Sequence, residues 1–142
     1  MLFRSPATNG KPVAPSNAPA PTPAAQVQDR AKAIAATPRI AIRTPKVVGS
    51  INLTGARIDD LVLLTHRETI AKDSPPVRLL SPGGTANAYY AGFGWSGDGL
   101  AAPGPATLWQ AEGTALTPQS PVTLRWTNPS GQTFAIKLSV NI

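Results

Sequence analysis

Cysteine is absent from this 142-residue sequence, and histidine occurs once, as His66. Disulfides and thiolate metal sites are therefore excluded, as is any centre that needs two imidazoles. No apolar run approaches the roughly 18–20 residues that cross a bilayer. The opening Met1-Leu2-Phe3-Arg4-Ser5-Pro6 lacks the apolar stretch of a signal peptide. As written, the chain is expected to carry neither an export signal nor an anchor. Acidic residues are also few, seven against thirteen Lys and Arg, for a net charge of +6. The surplus lies wholly in residues 1–46, where seven basic groups face Asp29 alone, while residues 47–142 carry six of each sign. Those basic groups are dispersed. That suits a solvated tail better than a nucleic-acid arm, which needs many phosphate contacts made together.

Proline is what the sequence does have, with 16 residues, and its placement divides the chain. Prolines 6, 12, 15, 19, 21 and 23 keep the backbone extended and unpaired, so residues 1–37 read as a disordered Pro/Ala-rich linker. Within it, residues 26–36 (QVQDRAKAIAA) are free of Pro and Gly and could form one short helix. Residues 38–142 are expected to form a partial β-sandwich domain.

Beyond Pro38 the period of the apolar residues becomes two. Ile40 and Ile42 alternate with Arg39, Ala41 and Arg43, and a second strand carries Val48, Ile51 and Leu53 into the turn at Thr54-Gly55. Ile58 to Leu64 reads as the return strand, with alternation broken between Ile58 and Leu61, the mark of a β-bulge. Arg78 to Leu80 is a short strand bracketed by Pro75-Pro76 and Pro82-Gly83-Gly84. Tyr89, Ala91, Phe93 and Trp95 share one face of a further period-2 segment, and Thr107 to Ala111 holds another short strand. Val122 to Thr127 and Phe134 to Ile142 alternate strictly about Asn128-Pro129-Ser130-Gly131, the residue chemistry of a type I hairpin turn. Short strands between Pro/Gly turns, with almost no helical period, predict an all-β antiparallel sandwich. The last strand is still alternating at Ile142, which suggests a piece of a longer protein.

Gly92 to Gly97 (GFGWSG) matches the G-x-G-x-x-G pattern of dinucleotide loops. Such a loop must open a helix whose N-terminus receives the pyrophosphate. Gly97, Gly99, Pro103 and Pro105 follow instead, and no cofactor is expected. Asp59 and Asp60 are adjacent, so strand alternation would send them to opposite faces and deny them a paired catalytic role. His66 lies near Glu68, yet no G-x-S-x-G nucleophile turn accompanies it, and it reads as a surface histidine on a loop. No catalytic or metal-binding residue is assigned. Tyr90, Trp95 and Trp109 are the candidates for contact with a partner or peptide, with core packing as the alternative for the 89/91/93/95 face.

Thr37 to Ile70 (TPRIAIRTPKVVGSINLTGARIDDLVLLTHRETI) resembles the first large periplasmic domain of the YidC-type bacterial membrane protein insertases. The hairpin Gly49 to Leu61 carries the resemblance most specifically. "RLLSPGG" at Arg78 to Gly84, "YYAGFGW" at Tyr89 to Trp95 and "NPSGQTF" at Asn128 to Phe134 extend it over residues 37–142. The resemblance implies a β-supersandwich similar to galactose-mutarotase folds, on the periplasmic side of the bacterial inner membrane. It also implies an accessory, non-enzymatic role in inserting membrane proteins, alone or with the Sec translocon, and membrane contact through parts absent from this chain.

A carbohydrate-binding sandwich is the alternative from another class. It would stack sugars on Tyr90, Trp95 or Trp109, with Gln110 and Glu112 as flanking polar groups. A mutarotase-type enzyme would require a histidine facing a carboxylate across a cleft, and His66 is the one histidine available.

Overall fold

The computed structural model describes residues 28–141. The linker reading of residues 1–27 lies outside the described residues, as do the first two positions of the expected helix. That helix, α1, spans Arg30–Ala35. Asp29 caps it, its carboxylate accepting from the backbone N–H of Ala31 (2.8 Å) and Lys32 (3.3 Å), which are otherwise orphan donors at the first turn.

Eight strands follow: β1 (Arg39–Arg43), β2 (Val47–Asn52), β3 (Arg57–Arg67), β4 (Pro76–Leu80), β5 (Gln110–Glu112), β6 (Ala115–Leu116), β7 (Val122–Thr127) and β8 (Thr133–Leu138). They make a five-stranded sheet, β4-β3-β2-β1-β6, and a three-stranded sheet, β5-β7-β8. The alternating residues of both face one core, formed by Ile40, Ile42 and Ile51 from the first sheet and Val122, Leu124, Phe134 and Ile136 from the second. The fold is thus the all-β sandwich that the alternation predicts. Among these eight strands pairing is antiparallel except at β1–β6, where Ala41 and Ile42 lie parallel to Ala115 and Leu116. A two-residue strand so far along the chain could not be read from local pattern.

The expected bulge sits at Asp59. Ser50 pairs with Asp60 and Ile51 with Ile58, leaving Asp59 as the extra residue of β3. Gly49 answers to the same irregularity, because a Cβ there would overlap the Asp60 carbonyl oxygen. At the other hairpin the Gly131 N–H bonds the Asn128 carbonyl at 3.0 Å and the Gln132 N–H bonds the Asn128 side chain at 2.9 Å. Gly131 takes φ 85°, which closes the reversal between β7 and β8.

Three expectations need correction. Residues 89–95 form no strand: Tyr89 bridges Ser81 and Ala91 bridges Ile58, and no further pairing follows. A strand needs a neighbour, and a Cβ at Gly92 or Gly94 would find nothing within 4 Å. The strand expected over 107–111 is β5, shifted to Gln110–Glu112, while Trp109 donates to Leu53 at 2.9 Å and Gly55 to Thr107 at 2.7 Å. His66 lies exposed on β3 and not on a loop, its Nδ1 3.1 Å from the Thr65 hydroxyl.

Candidate functional site

Two places carry more chemistry than a sandwich requires. The first is the aromatic segment after β4. Tyr89 is 69% exposed, Tyr90 47%, Phe93 43% and Trp95 37%. The alternative of core packing for this face is therefore wrong for Tyr89 and Phe93. Trp95 is divided between core and solvent: it stacks on Trp109 with centroids 6.3 Å apart and meets Phe134 edge-on at 5.1 Å. Trp109 is only 2% exposed, so it supports Trp95 from beneath and offers no surface of its own. Tyr90 stands over Arg57, whose guanidinium lies 5.1 Å from the ring centroid and reaches the Pro105 carbonyl at 3.5 Å. Of the three candidate contact residues, Tyr90 and part of Trp95 reach solvent.

The sugar-binding alternative loses its platform here. Trp109 is buried, and the Glu112 carboxylate three positions on is engaged by Arg125 Nε at 2.6 Å. The GFGWSG stretch is loop, and after it Leu100 donates back to Gly97 at 3.4 Å in a turn, where a nucleotide site requires a helix.

The second place is a buried polar network beneath α1. Arg39 holds Asp59 through two bonds, 2.6 and 3.2 Å, and donates to Ser50 Oγ at 3.2 Å. Ser50 Oγ donates to Asp60 at 2.7 Å, and Asn52 Nδ2 to Asp59 at 3.4 Å. Arg30 of α1 completes it by pairing with Asp60. The adjacent aspartates do not part to opposite environments as plain alternation predicts. The bulge at Asp59 resets the period, and both join one network through Arg39 and Ser50. Arg39 Nε also bonds the Ile34 carbonyl (3.0 Å) and Thr37 Oγ1 (3.1 Å), so the network fastens α1 to the sheet. Burial lowers the pKa of Arg30, and the nearby Arg78 lowers it further, while Asp60 opposes both. Sequence reasoning missed this network; its signal was Arg39 and two acids set among apolar strand residues, with Arg30 in the short helix ahead of them.

A third feature is an apolar cavity of about 240 Å³ at the open side of the core, walled by Ile42, Ile51, Ile58, Leu116, Leu138 and Val140. Among the described residues no three His, Cys, Asp or Glu side chains gather as metal ligands. No helix of the described residues is long and apolar enough to cross a membrane.

Set against known families, residues 39–141 match the model described as the YidC periplasmic domain. The chain belongs to the YidC periplasmic domain family. Its relatives carry the name membrane protein insertase YidC. That of Zymomonas mobilis is 52% identical over 105 residues, 74% of this chain and 18% of the relative. That of Acidiphilium cryptum is 51% identical over 111 residues, 76% and 18% of the two chains. The Bradyrhizobium diazoefficiens protein is 46% identical over 137 residues, 94% and 22%. The chain thus spans about a fifth of the length of the curated relatives it matches. No solved structure matches it. The YidC periplasmic match begins at Arg39 and takes in β1 to β8, with α1 preceding it.

Proposed function

We propose that this chain is the opening part of the periplasmic module of a membrane protein insertase, working on the periplasmic side of the bacterial inner membrane. The observation that carries the reading is the family match over residues 39–141. The module has no catalytic role of its own. It assists membrane proteins as they enter and fold in the bilayer, and it contacts emerging client segments or Sec translocon components. The contact surface is Tyr90 with the exposed part of Trp95, and the unpaired edge of β8 offers a second route by strand addition. The division of the chain near residue 38 belongs to the same proposal, with the folded unit from there onward and the Pro/Ala-rich stretch as its tether.

The test is an exchange. Residues 39–141 replace the matched segment of the Zymomonas mobilis insertase, with a photo-crosslinking amino acid at position 90 or, as control, at exposed Gln119 in the turn before β7. Client insertion is expected to continue, and position 90 to yield crosslinks to a nascent membrane protein or a Sec subunit. Loss of insertion by the exchanged protein at normal abundance, or crosslinks at position 90 no stronger than at 119, would overturn the reading.

A further inference from the structure

Between the start of α1 and the segment that follows β4 lies a cavity of about 440 Å³. The Gln28 N–H bonds the Gly84 carbonyl at 2.8 Å, so the chain before α1 and the turn at 82–85 are fixed against one another. Thr85 Oγ1 donates to the Pro82 carbonyl at 2.6 Å, which stiffens that turn. Asn87 follows with φ 56°, a left-handed conformation that asparagine tolerates better than most residues.

The cavity wall carries charge of both signs. Arg30 and Arg78 line it, and so does Glu68, with Ser81 and Asn87 supplying a hydroxyl and a carboxamide. Arg30 is committed to Asp60 through Nη2, but its Nε is shut off from solvent and finds no acceptor among the described residues. Arg78 and Glu68 line the same cavity without forming an ion pair with each other. Glu68 and Arg78 are both exposed, so each keeps its charge available to a ligand that enters the cavity from solution. A bare anion would be opposed by Glu68, and a bare cation by two guanidiniums. A ligand carrying both charges answers both walls. The free guanidinium of Arg78, a hydroxyl and an amide also offer more donors than a planar carboxylate uses, and they suit the several oxygens of a phosphoryl group.

We propose that this cavity binds a zwitterion of the phosphoethanolamine class, its phosphate received by Arg78 with Ser81 and its ammonium by Glu68. The chemistry is shared by a free phosphoethanolamine and by a lipid headgroup. The lipid source, but not the site, rests on the periplasmic reading above.

Calorimetric titration of the 142-residue chain with O-phosphoethanolamine, inorganic phosphate and glycine tests it. Saturable binding of phosphoethanolamine is expected, with glycine at least tenfold weaker. Arg78→Gln, on an exposed position of an edge strand, should weaken phosphoethanolamine tenfold or more. Glu68→Gln should weaken phosphoethanolamine about fivefold while leaving inorganic phosphate unchanged or tighter, a split that general loss of structure would not produce. Thermal unfolding of each variant checks the fold, and Ser81→Ala, expected to weaken phosphoethanolamine severalfold, replaces Arg78→Gln if that variant is unfolded. Absence of saturable binding, an Arg78→Gln variant that titrates like the parent, or glycine binding equally well would overturn the proposal. So would equal losses for both phosphates in Glu68→Gln. Flotation with phosphatidylethanolamine vesicles against phosphatidylcholine vesicles then separates the sources: selective flotation points to the headgroup, and soluble binding without flotation to the free compound. The exchange experiment above is independent of this outcome, so the two readings fail separately.

Discussion

The two sheets of this sandwich are held by different means. The five-stranded sheet carries a set of ionised groups beneath α1, in which the Arg39 and Asp59 side chains are 8% and 3% exposed. The three-stranded sheet packs through Val122, Leu124, Phe134 and Ile136, with Trp95 and Trp126 against Phe134, and its ion pair, Arg125 with Glu112, lies in solvent. Apolar packing is non-directional and asks only for volume and period. Buried ions ask for specific partners, because each unpaired charge inside the fold is costly. The first sheet therefore fixes where one particular helix docks, while the second fixes only that a sheet covers the core.

The comparison can be broken most severely at its charged end. Replacing Arg39 by Ala strands Asp59 and should cost about 3–5 kcal/mol, read as a lower midpoint in urea unfolding. Arg39→Met with Asp59→Leu together should recover most of that loss if the pair is worth little beyond its own desolvation. Next in size is the apolar side: Leu124→Ala, at a fully buried position, should cost about 2–5 kcal/mol. The two losses need not differ in magnitude. They should differ in locality, with the Arg39 variant losing hydrogen-exchange protection at α1 and the Leu124 variant losing it across both sheets. Gly49→Ala tests the bulge, since the added methyl meets the backbone of Asp60, and a loss of about 1–3 kcal/mol is expected. The smallest effect belongs to the exposed pair: a double-mutant cycle on Glu112 and Arg125 should return about 0.2–1 kcal/mol and shrink with added salt.

How much of this was legible in the sequence varies by segment. β1, β7 and β8 were readable because each buries one face, so their apolar residues keep a period of two, whereas β2 was readable only from its β-branched residues and the Thr54-Gly55 turn after it. The bulge was readable for the converse reason, as a local break in that period at Ile58 to Leu61. Tyr89 to Trp95 has the same alternation and yet is no strand. Alternation records which face could be buried, and it does not supply the neighbouring strand that makes a ladder. The candidate contact residues divided on the same ground, since Tyr90 and Trp109 are both aromatic and only the fold puts one outside and the other under Trp95. The cavity beside Arg78 was not legible at all, because Arg30, Glu68, Arg78 and Asn87 are spread over nearly sixty positions.

The sequence by itself determined the class of this protein: strands of alternating apolarity between proline and glycine turns, no thiol chemistry and no centre needing two imidazoles, and a family pattern along Gly49 to Phe134. Those properties are local, and a chain carries them whether or not it is folded. Only the tertiary structure decided that Asp59 and Asp60 share one network, that β6 joins β1 in parallel, and that α1 is fastened to the sheet by Arg30 and Arg39. Each of these is a meeting of residues far apart in the chain, and burial makes such meetings specific, because a charge or backbone group removed from water must find a partner.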